Sequence, residues 1–97
     1  MKVHETNLDG VLRLEPSTFF EDFRGEYVET YNAESFLRSG IDIAFNEDDI
    51  SVSTRHVLRG FHGDQKRTKL VTCLYGNFLL VIVNNDPESQ QYQKHET

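Results

Sequence analysis

The sequence has no tryptophan, one cysteine, one methionine and two prolines among its 97 residues. A single cysteine cannot form an internal disulfide, and Cys73 lies in an apolar run, so we expect a buried free thiol in a reducing cytoplasm. No apolar run approaches the about 20 residues that span a bilayer, and the polar stretch from Met1 to Gly10 has no signal-peptide core. We therefore expect a soluble, cytoplasmic protein.

Basic residues are also scarce, with 10 Lys and Arg against 16 Asp and Glu and a net charge of -6. The few cations form no basic stripe, which argues against a nucleic-acid partner. The length allows at most one domain and excludes a second catalytic one. Hydrophobic residues make up 37% of the chain, including seven Phe and four Tyr, which is enough for a thin aromatic β core that would gain from a partner subunit.

Short strand-like segments separated by turn residues predict an all-β fold, an antiparallel β-sandwich or barrel. Asn32 is a candidate N-cap for one connecting helical turn that Gly40 ends. We take residues 1–97 as one partial domain and residues 84–97 as its polar turn and tail. Because an unpaired sheet edge is a liability, we expect another chain to cover it. The strand candidates are Val11–Leu14, Gly25–Tyr31, Ile41 with Ile43 and Phe45, Ile50 with Val52, and the two central segments Lys69–Leu74 and Phe78–Val83, joined by a tight turn.

The stretch from Val57 to Val71 combines cationic side chains with one imidazole. The stretch reads as two adjacent strands that carry Arg59, His62 and Lys69. Side chains two apart on a strand share a face, so an Arg or His at alternate positions can project into one cavity while Leu58 and Phe61 pack elsewhere. Arginine suits phosphate, and histidine titrates near neutrality. The first hypothesis is an anionic-ligand pocket containing a base, and the alternative is that His62 is an ordinary strand histidine. We expect His4 and His56 at the surface, and an isolated His56 implies no metal site.

Four separated motifs stand in the order Phe20-Glu21-Asp22-Phe23-Arg24-Gly25 with Glu29, Glu47-Asp48-Asp49-Ile50-Ser51, Leu58-Arg59-Gly60-Phe61-His62, and Lys69-Leu70-Val71. In this order they resemble the motifs of the dTDP-4-dehydrorhamnose 3,5-epimerase family, cupin jelly-roll enzymes of nucleotide-sugar biosynthesis. The resemblance runs from about Val11 to Tyr92 and covers the N-terminal half of a family chain. His62-Gly63-Asp64 is more similar to members that act on GDP-linked 6-deoxy-heptoses.

The resemblance implies catalytic roles for two residues. His62 matches the base that removes a proton beside the sugar's C4 ketone, and Lys69 matches a residue near the developing enolate oxygen. The remaining matches imply substrate binding, with the diphosphate as the natural target of the guanidinium groups. The substrate-binding positions are Arg24, Glu29, Arg59 and the segment Glu47, Asp48 and Asp49, where the family commonly has Gln-Asp-Asn.

The chain departs from the family pattern beyond Val83. The family's catalytic tyrosine, its second histidine and the acid that orients the base belong to a C-terminal half that has no counterpart in this sequence, and Tyr92 and His95 come too early to replace them. Leu80 and Asp86 stand where the family often has an acid and an Arg. The fold that the resemblance implies is therefore a cupin-type jelly roll that is incomplete at its C-terminus.

The resemblance implies an isomerase, a nucleotide-sugar 3,5-epimerase acting on an NDP-4-keto-6-deoxy sugar and inactive alone without the missing acid. Its setting would be deoxysugar or surface-polysaccharide biosynthesis, such as lipopolysaccharide, O-antigen or capsule. It implies no cofactor, a nucleotide-diphosphate sugar substrate and a homodimer. Two alternatives stay open: a catalytically silent nucleotide-sugar-binding cupin module, and a related 3-epimerase or 3,4-ketoisomerase.

Overall fold

The computed structural model describes residues 1–97, in which short strands predominate over a single helix. Each strand pairs with one neighbour, so the strands form three separate two-stranded antiparallel sheets, β1 with β2, β3 with β4, and β5 with β6. The all-β class is confirmed, whereas the jelly roll stays a prediction. The elements are β1 Lys2–Glu5, β2 Leu12–Glu15, β3 Phe19–Asp22, β4 Gly25–Val28, α1 Ala33–Arg38, β5 Ile82–Val83 and β6 His95–Glu96.

The loop between β1 and β2 is closed by one hydroxyl. Thr6 Oγ1 donates a hydrogen bond to Val11 O at 2.8 Å and accepts one from Leu8 N at 3.2 Å. Such side-chain bonds to nearby backbone are the usual way in which threonine stabilises a tight loop. The loop folds around Leu8, which is only 3% exposed and is one of the two buried residues of the chain.

The C-terminal segment returns to this same loop. Gln91 Oε1 accepts a hydrogen bond from Asp9 N at 2.8 Å, and its Nε2 donates to Asn7 O at 3.2 Å. Asn7 N in turn donates to Glu96 Oε2 at 3.1 Å. Residues 84–97, predicted as a polar turn and tail, therefore also contain β6, and their polar side chains bring the two ends of the chain together.

Helix α1 begins and ends at the residues that the sequence indicates. Asn32 Oδ1 accepts a hydrogen bond from Ser35 N at 3.0 Å, which is the N-cap interaction. At the other end, Gly40 has φ +86°, and the N–H groups of Gly40 and Ile41 bond to carbonyls of the last turn at 3.0 and 2.9 Å. This pair of bonds is the Schellman motif, which favours glycine at the left-handed position.

The helix also supplies the second buried residue, Phe36, which is 4% exposed. Its ring lies edge-on to Tyr31, with centroids 4.9 Å apart, and Phe45 completes the cluster at 5.5 Å from Tyr31 and 6.2 Å from Phe36. Edge-to-face geometry at such distances is favourable for aromatic pairs. The expectation that this helix is only a connector is therefore wrong, because it anchors the aromatic cluster.

Residues 42–81 form no helix or strand, and none of the 24 backbone–backbone hydrogen bonds involves them. The strands predicted at Ile41–Phe45, at Ile50 with Val52 and at Lys69–Leu74 are absent, and Phe78–Val83 forms a strand only at its last two residues. A strand needs a paired neighbour for its backbone and a second layer over its apolar face, and this region has neither. Cys73 is consequently exposed, not buried.

Helix α1 has six residues and is the longest regular segment. No helix of the chain has the length and apolar character that crossing a bilayer requires.

Candidate functional site

The β3–β4 hairpin carries an open cleft of about 410 Å³. Phe20 and Tyr27 are directly opposite each other in the register, with ring centroids 6.3 Å apart. Asp22 lies two residues after Phe20, so alternation places it on the same face, at the turn. The cleft therefore has an aromatic floor and a charged end, and it is lined by Phe20, Asp22, Arg24, Gly25, Glu26 and Tyr27.

The charged end of the cleft is an ordered ion pair between Asp22 and Arg24. Arg24 Nη2 lies 2.6 Å from Asp22 Oδ2, and Arg24 Nε donates to both carboxylate oxygens at 3.1 Å. The same carboxylate accepts the backbone N–H of Arg24 at 2.8 Å, which closes the turn between β3 and β4. Arg24 is thus held through both its backbone and its guanidinium.

The ion pair affects the titration of both groups. The side-chain hydrogen bond from Arg24, followed by its backbone bond, holds the pKa of Asp22 below its ordinary value, and the same pairing raises the pKa of Arg24. The pair is solvent-accessible, with the Arg24 side chain 77% exposed, so its stabilising effect on the fold is small. Its effect on the orientation of Arg24 is the more important consequence.

Two further predicted substrate-binding residues have hydrogen-bond partners elsewhere. Glu29 is half-buried just after β4, and its Oε2 accepts a bond from the N-cap amide of Asn32 at 3.4 Å. Arg59 donates from Nε to Ser53 Oγ at 2.9 Å and from Nη2 to Val52 O at 3.1 Å. Arg59 is exposed and does not line the cleft that contains Arg24.

The predicted catalytic pair, His62 and Lys69, is exposed and lies outside the cleft. Near them, Asp64 pairs with Arg67 at 3.4 Å. The acidic segment Glu47–Asp49 is likewise exposed. Of the eight predicted site residues, the structure therefore brings only Arg24 into the cleft, and the assembly of the others into one site stays a prediction.

The sequence interpretation did not single out Asp22 or the pair of Phe20 and Tyr27. A local signal for both was present. An Asp two residues before an Arg at a hairpin turn can accept that residue's backbone N–H and meet its guanidinium. A two-residue turn also makes Phe20 and Tyr27 cross-strand neighbours, a favourable aromatic pairing.

Comparison with known proteins gives a consistent result. A family model described as dTDP-4-dehydrorhamnose 3,5-epimerase matches residues 5–97. The chain is similar to dTDP-4-dehydrorhamnose 3,5-epimerases of Methanothermobacter thermautotrophicus (34% identical, covering 91% of this chain and 48% of the relative), Escherichia coli (37%, covering 97% and 52%) and Streptomyces griseus (41%, covering 79% and 40%).

The chain spans about half the length of the curated relatives it matches. No solved structure was found to match it.

Proposed function

This chain belongs to the dTDP-4-dehydrorhamnose 3,5-epimerase family, and on that premise we propose that it serves in the epimerisation of a nucleotide-linked 4-keto-6-deoxy sugar. The observation that carries the proposal is the family match over residues 5–97, a range that contains every predicted site residue. The chemistry of the cleft is compatible with the proposal. A guanidinium beside an aromatic pair suits a ligand that joins a phosphate to a flat base.

In the proposed reaction, His62 removes the proton from the carbon next to the C4 ketone. The electron pair of that C–H bond moves into the carbonyl, which becomes an enolate. The ammonium of Lys69 stabilises the negative charge on the enolate oxygen, a charge that develops only as the proton leaves. An acid from the C-terminal half of the family chain would then return a proton to the opposite face of the same carbon, which inverts its configuration, while His62 gives up the abstracted proton to solvent.

Substrate binding in this proposal falls to the two arginines. Arg24 and Arg59 hold the diphosphate through charge-assisted hydrogen bonds, each contributing about 1.5–3 kcal/mol. Glu29 and the segment Glu47–Asp49 contact the remainder of the substrate. Carboxylates in that segment would repel phosphate, so they are better placed near the sugar or base than near the diphosphate.

A second candidate function is nucleotide-sugar binding without catalysis. The observation that favours it is that Arg24 lines the aromatic cleft while His62 and Lys69 do not. Both functions use the same phosphate contact, and they differ only in whether His62 meets the sugar.

Hydrogen–deuterium exchange into the sugar separates the two functions. In deuterated water, we expect residues 1–97 alone to exchange a proton of a nucleotide-linked 4-keto sugar slowly or not at all, because the acid that the family pattern supplies is missing. When residues 1–97 are joined to the C-terminal half of the Escherichia coli relative, the sugar should acquire deuterium at C3 or C5. We expect His62→Asn to slow this exchange by about 10²–10⁴-fold, the contribution of a positioned base. His56→Asn is the matched control, because His56 is exposed and has φ +67°, a conformation that Asn tolerates.

Each outcome of the exchange experiment is informative. Exchange that is lost in His62→Asn and kept in His56→Asn supports the epimerase. Exchange that persists in His62→Asn contradicts the assignment of the base. Binding of dTDP or GDP that falls at least tenfold in Arg59→Ala, without any exchange by the joined chain, supports the binding module. Comparing the two nucleotides also tests the GDP-type similarity.

We include three further predictions in this proposal: a cupin jelly roll as the complete fold, a related 3-epimerase or 3,4-ketoisomerase as an alternative activity, and a homodimer. The large number of exposed apolar side chains supports the dimer, because such surface is usually covered by a partner. Sedimentation equilibrium at micromolar concentration tests it, and a well-folded monomer would contradict it.

A further inference from the structure

We propose that Asp22 is a positioning residue for Arg24, which holds the guanidinium so that one edge faces a diphosphate in the cleft. The inference rests on the proposed function, since it takes the ligand to be a nucleoside diphosphate. Asp22 itself touches Arg24 and not the reacting atoms, so its role is indirect.

The ion pair uses only part of the donor set of Arg24. Asp22 is met by Nε and Nη2 of Arg24, which form one side of the planar guanidinium. Nη1 is not used by any hydrogen bond, and Nη2 has a second hydrogen that points away from Nε. The remaining donors form the Nη1–Nη2 edge, and that edge has the spacing that phosphate oxygens match in bidentate contacts.

The Arg24 side chain is restrained at both of its ends. Asp22 Oδ1 also accepts the backbone N–H of Arg24 at 2.8 Å, so one carboxylate fixes both ends of the arginine side chain. The guanidinium carbon also lies 5.9 Å from the ring centroid of Phe23, but this ring is 98% exposed and adds little constraint. An exposed arginine normally loses much rotamer freedom on binding a ligand, and a side chain that is already oriented loses less.

The negative charge of Asp22 opposes phosphate binding in the cleft. The carboxylate of Asp22 repels an incoming phosphate, which would favour its removal. However, both groups are exposed, with 43% and 77% of their side chains accessible, so water and salt screen this repulsion. The loss of orientation should therefore outweigh the loss of repulsion, and removing the carboxylate should weaken binding.

The test uses Asp22→Asn and isothermal calorimetry with dTDP and GDP. The amide oxygen of Asn can still accept the backbone N–H of Arg24, so the turn is kept, whereas its NH₂ group cannot pair with the guanidinium. We expect affinity to fall by about 3- to 10-fold, the penalty of ordering one free arginine side chain. Thymidine, which lacks phosphate, should bind equally to both proteins.

Glu21→Gln is the matched control. It removes the same charge from the neighbouring position, and Glu21 itself does not line the cleft. We expect it to leave the affinity for both nucleotides within about twofold of the unaltered chain. An equal loss in Glu21→Gln and Asp22→Asn would contradict the positioning role, because it would show a general effect of charge or folding.

A double-mutant cycle distinguishes positioning from a structural role. If Asp22 acts through Arg24, Asp22→Asn should have no further effect on affinity in an Arg24→Ala background. A full additional loss there would overturn the inference while leaving the phosphate site intact. If Arg24→Ala alone does not change affinity, the proposed phosphate site is itself wrong.

A second measurement needs no ligand. In the free protein, the Nε–H of Arg24 should exchange slowly with solvent in nitrogen-15 NMR spectra, because both carboxylate oxygens of Asp22 accept its hydrogen bond at 3.1 Å. Asn at this position keeps the Oδ1 acceptor but has neither the Oδ2 acceptor nor the negative charge. We expect this exchange to accelerate in Asp22→Asn and to stay unchanged in Glu21→Gln. Equal exchange rates in Asp22→Asn and the unaltered chain would contradict the inference even if the nucleotide affinities change.

Discussion

Residues 2–41 and residues 42–81 have similar shares of apolar side chains but opposite degrees of order. The first region forms two hairpins and a capped helix, whereas the second makes no backbone–backbone hydrogen bond. The ordered elements use partners within about ten residues, such as a threonine hydroxyl, an Asn cap or a turn carboxylate. The segments of the second region need neighbours far along the chain. The entropic cost of closing such long loops is offset only when those neighbours are present.

Hydrogen exchange tests this contrast most directly and should show the largest effect. We expect the amides of Lys69–Leu74 to exchange at rates typical of an unstructured chain, because no backbone carbonyl accepts their bonds. Bonded amides in α1 and in the β3–β4 hairpin should exchange more than about tenfold slower. Mass spectrometry of exchanged peptides resolves the two regions.

The contrast can also be sharpened by supplying the missing neighbours. When the chain is joined to the remaining half of the Escherichia coli relative, we expect Lys69–Leu74 to become protected while α1 changes little. Strong protection of Lys69–Leu74 in the 97-residue chain alone would contradict the dependence on distant neighbours, since that segment would then find its partners locally.

Substituting one phenylalanine in each region should give the next largest difference. Phe36→Ala removes the centre of the aromatic cluster, and loss of a fully buried Phe side chain costs about 3–5 kcal/mol. We expect α1 to lose its circular dichroism signal. Phe61→Ala is the matched control, because Phe61 is 78% exposed, and its effect should stay within about 0.5 kcal/mol.

A comparable loss of helix signal in both variants would show that Phe61 also packs on the ordered region, as Phe45 does.

The smallest expected effect is a pH dependence of the β1–β2 hairpin. Glu15 Oε2 lies 3.4 Å from Lys2 Nζ, and its Oε1 lies 3.0 Å from Nε2 of His4, which is half-buried instead of fully at the surface as expected. The hydrogen bond from Lys2, followed by the charges of Lys2 and His4, holds the pKa of Glu15 below its ordinary value.

Because the folded state has the lower pKa, Glu15 stabilises the hairpin above the ordinary pKa of glutamate. This contribution is lost as the pH falls through the lowered value. We expect NMR signals of β1 and β2 to report weaker pairing in acid, and Glu15→Gln to remove most of that dependence. Glu5→Gln on the same hairpin, where Glu5 has no ion pair, should leave it in place. Equal acid sensitivity in Glu15→Gln and the unaltered chain would contradict the assignment.

The sequence predictions are more accurate for residues 2–41 than for residues 42–81. Asn32 and Gly40 mark the helix ends correctly, and the predicted strands at Val11–Leu14 and Gly25–Tyr31 correspond to β2 and β4, each within a few residues. The predicted strand at Lys69–Leu74 is wrong for this chain, although its composition is the more strand-like. Apolar and β-branched residues favour a strand whose faces pack against other elements, but composition alone does not show whether those elements are present.

For the candidate site, the anion-binding role of Arg24 stays a prediction, whereas the family resemblance that its motif carried is confirmed by the comparison. The roles of His62, Lys69 and Arg59 stay predictions, because these side chains lie on the segment without regular structure. A role that depends on several side chains meeting requires the sheet that brings them together.

The amino-acid sequence alone was therefore sufficient for the family, the all-β class and the local elements, since turns, caps and motifs depend on residues close together in the chain. The three-dimensional structure was needed to establish that Asp22 holds Arg24 at the end of an aromatic cleft, that Phe36 anchors a cluster with Tyr31 and Phe45, and that the C-terminal segment returns to the β1–β2 loop. These features depend on which side chains meet in space, and that is set by packing and hydrogen-bond geometry instead of by the identity of any one residue.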